Sequence, residues 1–271
     1  MLWTFTQEAS HQTSVTPMPT VARRLPGGSS PSGYHEWMAR LLQPRQRPTW
    51  QIATPAVLLL IAFVVPGLFI LAGNGEPAFN GVDTFWQAYV FTLHTPLWDQ
   101  VNLVLNAVGY VGMLVLQLLL GAMLLLWQRP RTALFVIVAG VSALALTQLA
   151  KVVVGRQRPE GAKVLTDTGS YPSGHVSATT TFLVVMVVLI DRFWIKALAA
   201  LGILAMMISR TYLSAHWLSD VVGAACLGTG LVLLLWVPFR SICIAENESS
   251  GTGPIWRAKA SQHRQAAGPR E

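Results

Sequence analysis

Three short polar stretches carry the residue types that handle phosphate. The first holds Lys151 and Arg158-Pro159, the second is Tyr171-Pro-Ser-Gly-His175, and the third runs from Ser209-Arg210 to His216 and Asp220. Arginine offers a planar fork of donors to phosphoryl oxygens and lysine a compact charge, so Lys151, Arg158 and Arg210 are candidate anion ligands. Pro172 and Gly174 shape a tight turn in which the Ser173 hydroxyl and the amides of Gly174 and His175, at the start of a helix, can cradle the same anion. His175 is then placed to deliver a proton to a leaving oxygen. His216 and Asp220 are four residues apart, one helical turn, so the carboxylate is expected to accept the Nδ1 proton and leave Nε2 free to attack. An Asp in an apolar helix is costly without such a partner. Arg156 and Lys163 read instead as general attraction for an anionic substrate, and Ser177, Thr179, Thr180 and Thr181 as helix-packing hydroxyls.

These stretches stand at the edges of long apolar runs. Of 271 residues, 52% are hydrophobic and 11% charged, too greasy for an ordinary soluble domain. The runs fall at about 53–73, 101–127, 132–154, 176–190, 195–208 and 218–239. Four approach or exceed the ~20 residues that cross a bilayer; 176–190 and 195–208 do so only with their polar ends, His175 to Asp191 and Trp194 to Arg210. The expected fold is therefore all-α, a polytopic membrane protein of six transmembrane helices over 51–240, with tails at 1–50 and 241–271. Span one, with no cleavage signal before it, reads as an uncleaved signal and anchor.

Charge sets the orientation. The N-terminal tail, the 128–131 turn, the 191–196 turn and the C-terminal tail hold five, two, two and five of the 19 Lys and Arg; the opposite segments hold the remaining five. The positive-inside rule then puts both termini in the cytoplasm and the three polar stretches on the outer face. Between the first two runs, Val82, Phe85, Trp86, Tyr89, Val90 and Leu93 recur with helical period, opposite Asp83, Gln87 and His94, which suits an amphipathic helix in the outer interface or one packed on the bundle. His94 reads as a surface or interface histidine. Gly155 and Pro159 predict a break after the third span. Cys226 and Cys243 read as bystanders.

Together the stretches resemble the signature of the type 2 phosphatidic acid phosphatase (PAP2) family of integral-membrane lipid phosphate phosphatases: Lys, six residues, Arg-Pro at Lys151 to Pro159; Pro-Ser-Gly-His at Pro172 to His175; and Ser-Arg, five residues, His, three residues, Asp at Ser209 to Asp220. The resemblance implies a PAP2-like bundle in which His216 forms a phosphohistidine, Asp220 orients it, and His175 protonates the leaving group. It further implies that Lys151, Arg158, Arg210, Ser173 and the Gly174 amide hold the phosphoryl oxygens, with no metal cofactor. The expected partners are a lipid phosphate substrate and the bilayer; nothing points to a nucleic acid or an obligatory protein partner. A bacterial plasma-membrane enzyme acting on polyprenyl diphosphate or a phospholipid phosphate is expected by family analogy. A lipid phosphoryl transferase, a non-enzymatic lipid-phosphate carrier and a soluble vanadate-dependent peroxidase are the alternatives, the last opposed by the apolar runs.

Overall fold

Helices alone build the chain in a computed structural model that describes residues 48–164 and 169–249. The helices are α1 (Trp50–Ala72), α2 (Asn80–Phe91), α3 (Pro96–Ala107), α4 (Met113–Leu126), α5 (Pro130–Val154), α6 (Gly174–Leu189), α7 (Phe193–Tyr212) and α8 (Leu218–Ser249); one π-helical turn, Val108–Gly112, joins α3 to α4. Five segments are long and apolar enough to cross a membrane: Trp50–Ala72, Pro96–Leu126, Pro130–Val154, Phe193–Tyr212 and Leu218–Glu246. Their outward faces expose Leu58, Ile61, Leu68, Leu118, Leu201 and Leu204. Such belts suit lipid rather than water, and the protein is a multi-pass membrane protein.

The fourth expected span departs from that pattern. Helix α6 has only 16 residues, about 24 Å at 1.5 Å per residue, short of the ~30 Å hydrocarbon core. Its position explains why it need not be long or uniformly greasy. It sits at the centre of the bundle, against α4, α5, α7, α8 and the π turn. The hydroxyls expected to pack helices do so at two positions: Ser177 shares a 2.8 Å bond with Thr147, and Thr179 donates to the Gly109 carbonyl at 3.1 Å. Glycines on α8 admit its closest neighbours, since a Cβ at Gly228 would lie 3.0 Å from Thr180 and one at Gly230 2.9 Å from the Ala56 carbonyl.

Helix ends fix the polar stretches at one end of the bundle. The break expected after the third span occurs at Gly155, whose φ of 58° closes α5 in the left-handed region. Consecutive antiparallel helices then bring the C-termini of α5 and α7 beside the N-termini of α6 and α8. At the other end, the Glu246 carboxylate accepts from the backbone N–H groups of Arg131 and Thr132 at 2.8 Å each, tying α8 to the start of α5. Helix α8 thus runs beyond the expected domain boundary at 240. Most of the two tails, 1–47 and 250–271, lies outside the described residues. Cys226 and Cys243 are unbridged.

Helix α2 occupies the expected place, but its sides are used differently from a simple amphipathic reading. Val82, Phe85 and Tyr89 are exposed, whereas Asp83, on the supposed outer polar side, is 1% exposed. His94 packs its ring 4.4 Å from that of Tyr212 and bonds the Tyr212 carbonyl at 2.8 Å.

Candidate active site

His216 lies in the short link between α7 and α8, 2% exposed. Its Nδ1 is 2.8 Å from the carbonyl of Ser170, and its Nε2 is 3.2 Å from Nη1 of Arg158. A carbonyl can only accept and a guanidinium can only donate, so the two partners fix the tautomer: the proton is on Nδ1 and the lone pair on Nε2. Burial pushes the imidazole pKa down to about 4; Arg158 and Arg210 push the same way, and Asp220 pulls against them. At neutral pH the ring is therefore uncharged, with its lone pair turned toward a cation.

The expected bond from Asp220 to His216 is replaced by a longer contact. Asp220 Oδ2 stands 3.6 Å from Nδ1, too far for a hydrogen bond, because the Ser170 carbonyl occupies the donor. Oδ2 instead accepts from the Ser170 hydroxyl and from the Trp217 amide, and Oδ1 accepts from Arg156 Nη1 at 2.8 Å.

The three cations surround the same region. Lys151, 2% exposed, donates to the Gly169 carbonyl at 2.9 Å. Arg158 donates to that carbonyl at 3.2 Å and to the Ala215 carbonyl at 2.7 Å. Gly169 has a φ of 49°, and a Cβ there would sit 2.6 Å from the Lys151 carbonyl, so both conformation and space demand glycine. Arg210 donates to Asn106 Oδ1 at 2.6 Å, and His175 Nε2 lies 3.2 Å from the Asn106 carbonyl. One residue of α3 thereby sets Arg210 and His175 side by side. The His175 ring also packs 5.6 Å from that of Tyr110.

The Pro-Ser-Gly turn follows a cis Tyr171–Pro172 bond and ends at the first residue of α6, so the Gly174 and His175 amides are among the unpaired donors of a helix N-terminus. Ser173 is fully buried; its amide donates to the Asp220 carbonyl at 3.2 Å, while its hydroxyl has no hydrogen-bond partner. Buried hydroxyls are ordinarily bonded, so this one stands ready for a further acceptor.

Sequence reasoning missed four participants. Arg156, expected to act as loose attraction, is 2% exposed and bridges Asp220 to Asp83 of α2, with Nη2 2.7 Å from Asp83 Oδ2. Removing it would strand two buried carboxylates, a cost of about 3–5 kcal/mol. Ser170 and Asn106 are the others. Lys163 lies apart, paired with Asp99 at 2.8 Å. Beside the site a cavity of about 880 Å3 is lined by Asn74, Asn80, Thr84, Gln87, Trp217 and Arg158. Among the described residues no group of three or more His, Cys, Asp or Glu side chains could hold a metal ion.

The sequence pattern of the PAP2 superfamily matches residues 132–241, a stretch that contains all three polar stretches. That stretch, less than half of the chain, is similar to the PAP2 superfamily. The chain is 28% identical over 142 residues to the undecaprenyl-diphosphatase of Sulfolobus acidocaldarius, covering 49% of this chain and 63% of that protein. The match thus spans less than two thirds of that relative's length. The fold is similar to the crystal structure of a transmembrane PAP2-type phosphatidylglycerolphosphate phosphatase from Bacillus subtilis, with a TM-score of 0.59 and 22% identity over 69% of this chain and 96% of that one. The chain therefore shares the fold of that solved phosphatase.

Proposed function

We propose that the chain hydrolyses the terminal phosphate of a membrane lipid phosphate or polyprenyl diphosphate, without a metal, through a phosphohistidine on His216. The observation that carries this reading is the fixed tautomer, with a neutral Nε2 lone pair 3.2 Å from the Arg158 guanidinium. A phosphoryl group drawn to that guanidinium meets a nucleophile already oriented and needing no deprotonation.

In the first step Nε2 attacks phosphorus, the bond to the leaving oxygen breaks, and His175 gives that oxygen a proton. Lys151, Arg158, Arg210, the Ser173 hydroxyl and the Gly174 amide hold the equatorial oxygens as charge spreads over them. The three side-chain cations supply the neutralisation for which other phosphatases use metal ions. Asp220 balances the positive charge that develops on the imidazole. In the second step His175 takes a proton from water, the water oxygen attacks phosphorus, the P–N bond breaks and phosphate leaves.

The setting follows from the same reading. Helix α6, completed by the buried turn before it, serves as the fourth of six spans, and α2 lies in the headgroup layer with Phe85 and Tyr89 outward. Residues 51–240 form the catalytic bundle, both termini are cytoplasmic, and the site opens on the outer face of a bacterial plasma membrane. The relatives' names favour polyprenyl diphosphate and phosphatidylglycerol phosphate as substrates. Phosphate release by purified protein in nanodiscs, across these lipids and phosphatidic acid, should survive exhaustive EDTA treatment; a strict Mg²⁺ requirement overturns the pocket as described. In a chain freed of Cys226 and Cys243, Gly161→Cys should react with an impermeant thiol reagent in intact cells and Phe193→Cys only after permeabilisation. The reverse order inverts the bundle.

A further inference from the structure

We infer that Arg156, clamped by Asp83, is a positioning residue that fixes both groups facing the Nδ1 proton of His216, an inference that rests on the phosphohistidine reading above. Two routes lead from this one residue to the imidazole. Through its side chain, Nη1 donates to Asp220 Oδ1 at 2.8 Å and to the Ser219 hydroxyl at 2.7 Å. Through its backbone, the Arg156 carbonyl accepts from the Ser170 amide at 2.7 Å. Ser170 then presents its own carbonyl to Nδ1 and its hydroxyl to Asp220 Oδ2. A shift of Arg156 therefore moves the carbonyl and the carboxylate together.

Asp83 holds the other end of the fork. Its Oδ2 accepts from Nη2 at 2.7 Å and from the Ser219 hydroxyl at 2.6 Å, and its Oδ1 accepts from the Ser219 amide at 2.8 Å. Helix α2 is thereby tied to the first turn of α8, one residue before Asp220. The guanidinium is 1% exposed and lies under the Trp217 ring, 5.3 Å from its centroid, so it cannot reach a phosphoryl group and acts only through its neighbours. Two carboxylates and one guanidinium leave a single net negative charge next to His216. That matches the single positive charge the imidazole gains on phosphorylation. Lysine would preserve the charge, but a single ammonium cannot repeat the fork that spans Asp83 and Asp220.

The test compares wild type with Arg156→Lys, Arg156→Met and the double variant Asp83→Asn/Arg156→Met. Each is assayed on the better of phosphatidic acid and farnesyl diphosphate in detergent micelles, with rapid-quench detection of phosphohistidine and a melting curve. Arg156→Lys should lower kcat and the rate of phosphohistidine formation at least ~10-fold together, with KM within about twofold of wild type. The double variant removes the stranded Asp83 charge, so it should melt higher than Arg156→Met while kcat stays at least ~10-fold low. That separation of stability from turnover is what a purely structural role would not produce. Recovery of kcat along with the melting temperature, or phosphohistidine formation by Arg156→Lys at the wild-type rate, overturns the positioning role alone. A wild type that forms no phosphohistidine overturns the underlying reading and the positioning role with it.

Discussion

The two histidines of the site live in opposite surroundings. His216 is almost fully buried, and both ring nitrogens meet partners that dictate its tautomer. His175 is half-buried at the start of α6, next to Asn106 and Tyr110. The difference suits the two proposed roles. A nucleophile gains from one fixed orientation and a lone pair always available, whereas a group that must give a proton in one step and take it back in the next needs access to the leaving oxygen and to water.

The sharpest way to break that comparison is to remove each ring in turn. His216→Asn should lower turnover by at least ~10³-fold and abolish the phosphoenzyme in rapid-quench experiments, since the covalent step has no substitute while the cations still bind substrate. Substantial lipid phosphatase activity in that variant would end the nucleophile assignment. His175→Asn should cost ~10²–10⁴-fold on a lipid phosphate but far less on p-nitrophenyl phosphate, whose leaving anion departs without a proton. An equal loss on both substrates would mean that His175 positions rather than protonates.

How much of this was legible beforehand depends on whether a side chain or a backbone does the work. Spacing pointed to His216, Asp220, His175 and the three cations because helical period and helix ends place side chains predictably, and Gly155 marked the end of α5. The acceptor on Nδ1 was assigned to Asp220 because a carbonyl leaves no mark in a sequence, and Ser170 and Gly169 both act through carbonyls. The Arg156 bridge joins residues 73 and 64 positions apart, beyond any local pattern. A signal did exist for Asn106 and Asp83. The rule that made Asp220 suspicious, a polar residue in an apolar helix, applies to Asn106 in the second span. The hydrophobic period of α2 instead assigned Asp83 to water, because it identifies an apolar face without saying what lies against the polar one.

The pH profile sharpens the comparison without removing a ring. With its pKa near 4, His216 is neutral and competent above that value and loses its lone pair to a proton below it. Its contribution to the acid limb of kcat/KM is therefore centred near pH 4 rather than the ~6.5 of a solvated histidine. Asp220 pulls this pKa upward, so Asp220→Asn should move the limb to lower pH while reducing kcat. Profiles recorded on p-nitrophenyl phosphate, whose leaving group needs no acid, check the sign in wild type and Asp220→Asn, and a limb that moves upward in Asp220→Asn contradicts the electrostatic account.

The smallest effect belongs to the turn between the histidines. The Ser173 hydroxyl is buried without a hydrogen-bond partner in the free protein, so Ser173→Ala breaks no existing bond and should leave the melting temperature unchanged or slightly higher. In the proposed complex the same hydroxyl donates to a charged phosphoryl oxygen, an interaction of ~1.5–3 kcal/mol, so kcat/KM should fall roughly 10- to 100-fold. A fall in stability with no change in kcat/KM would mean that the hydroxyl serves the fold. A loss of activity at constant stability assigns it to the substrate, on the side of the site that the phosphoryl group enters rather than the side that holds His216 in place.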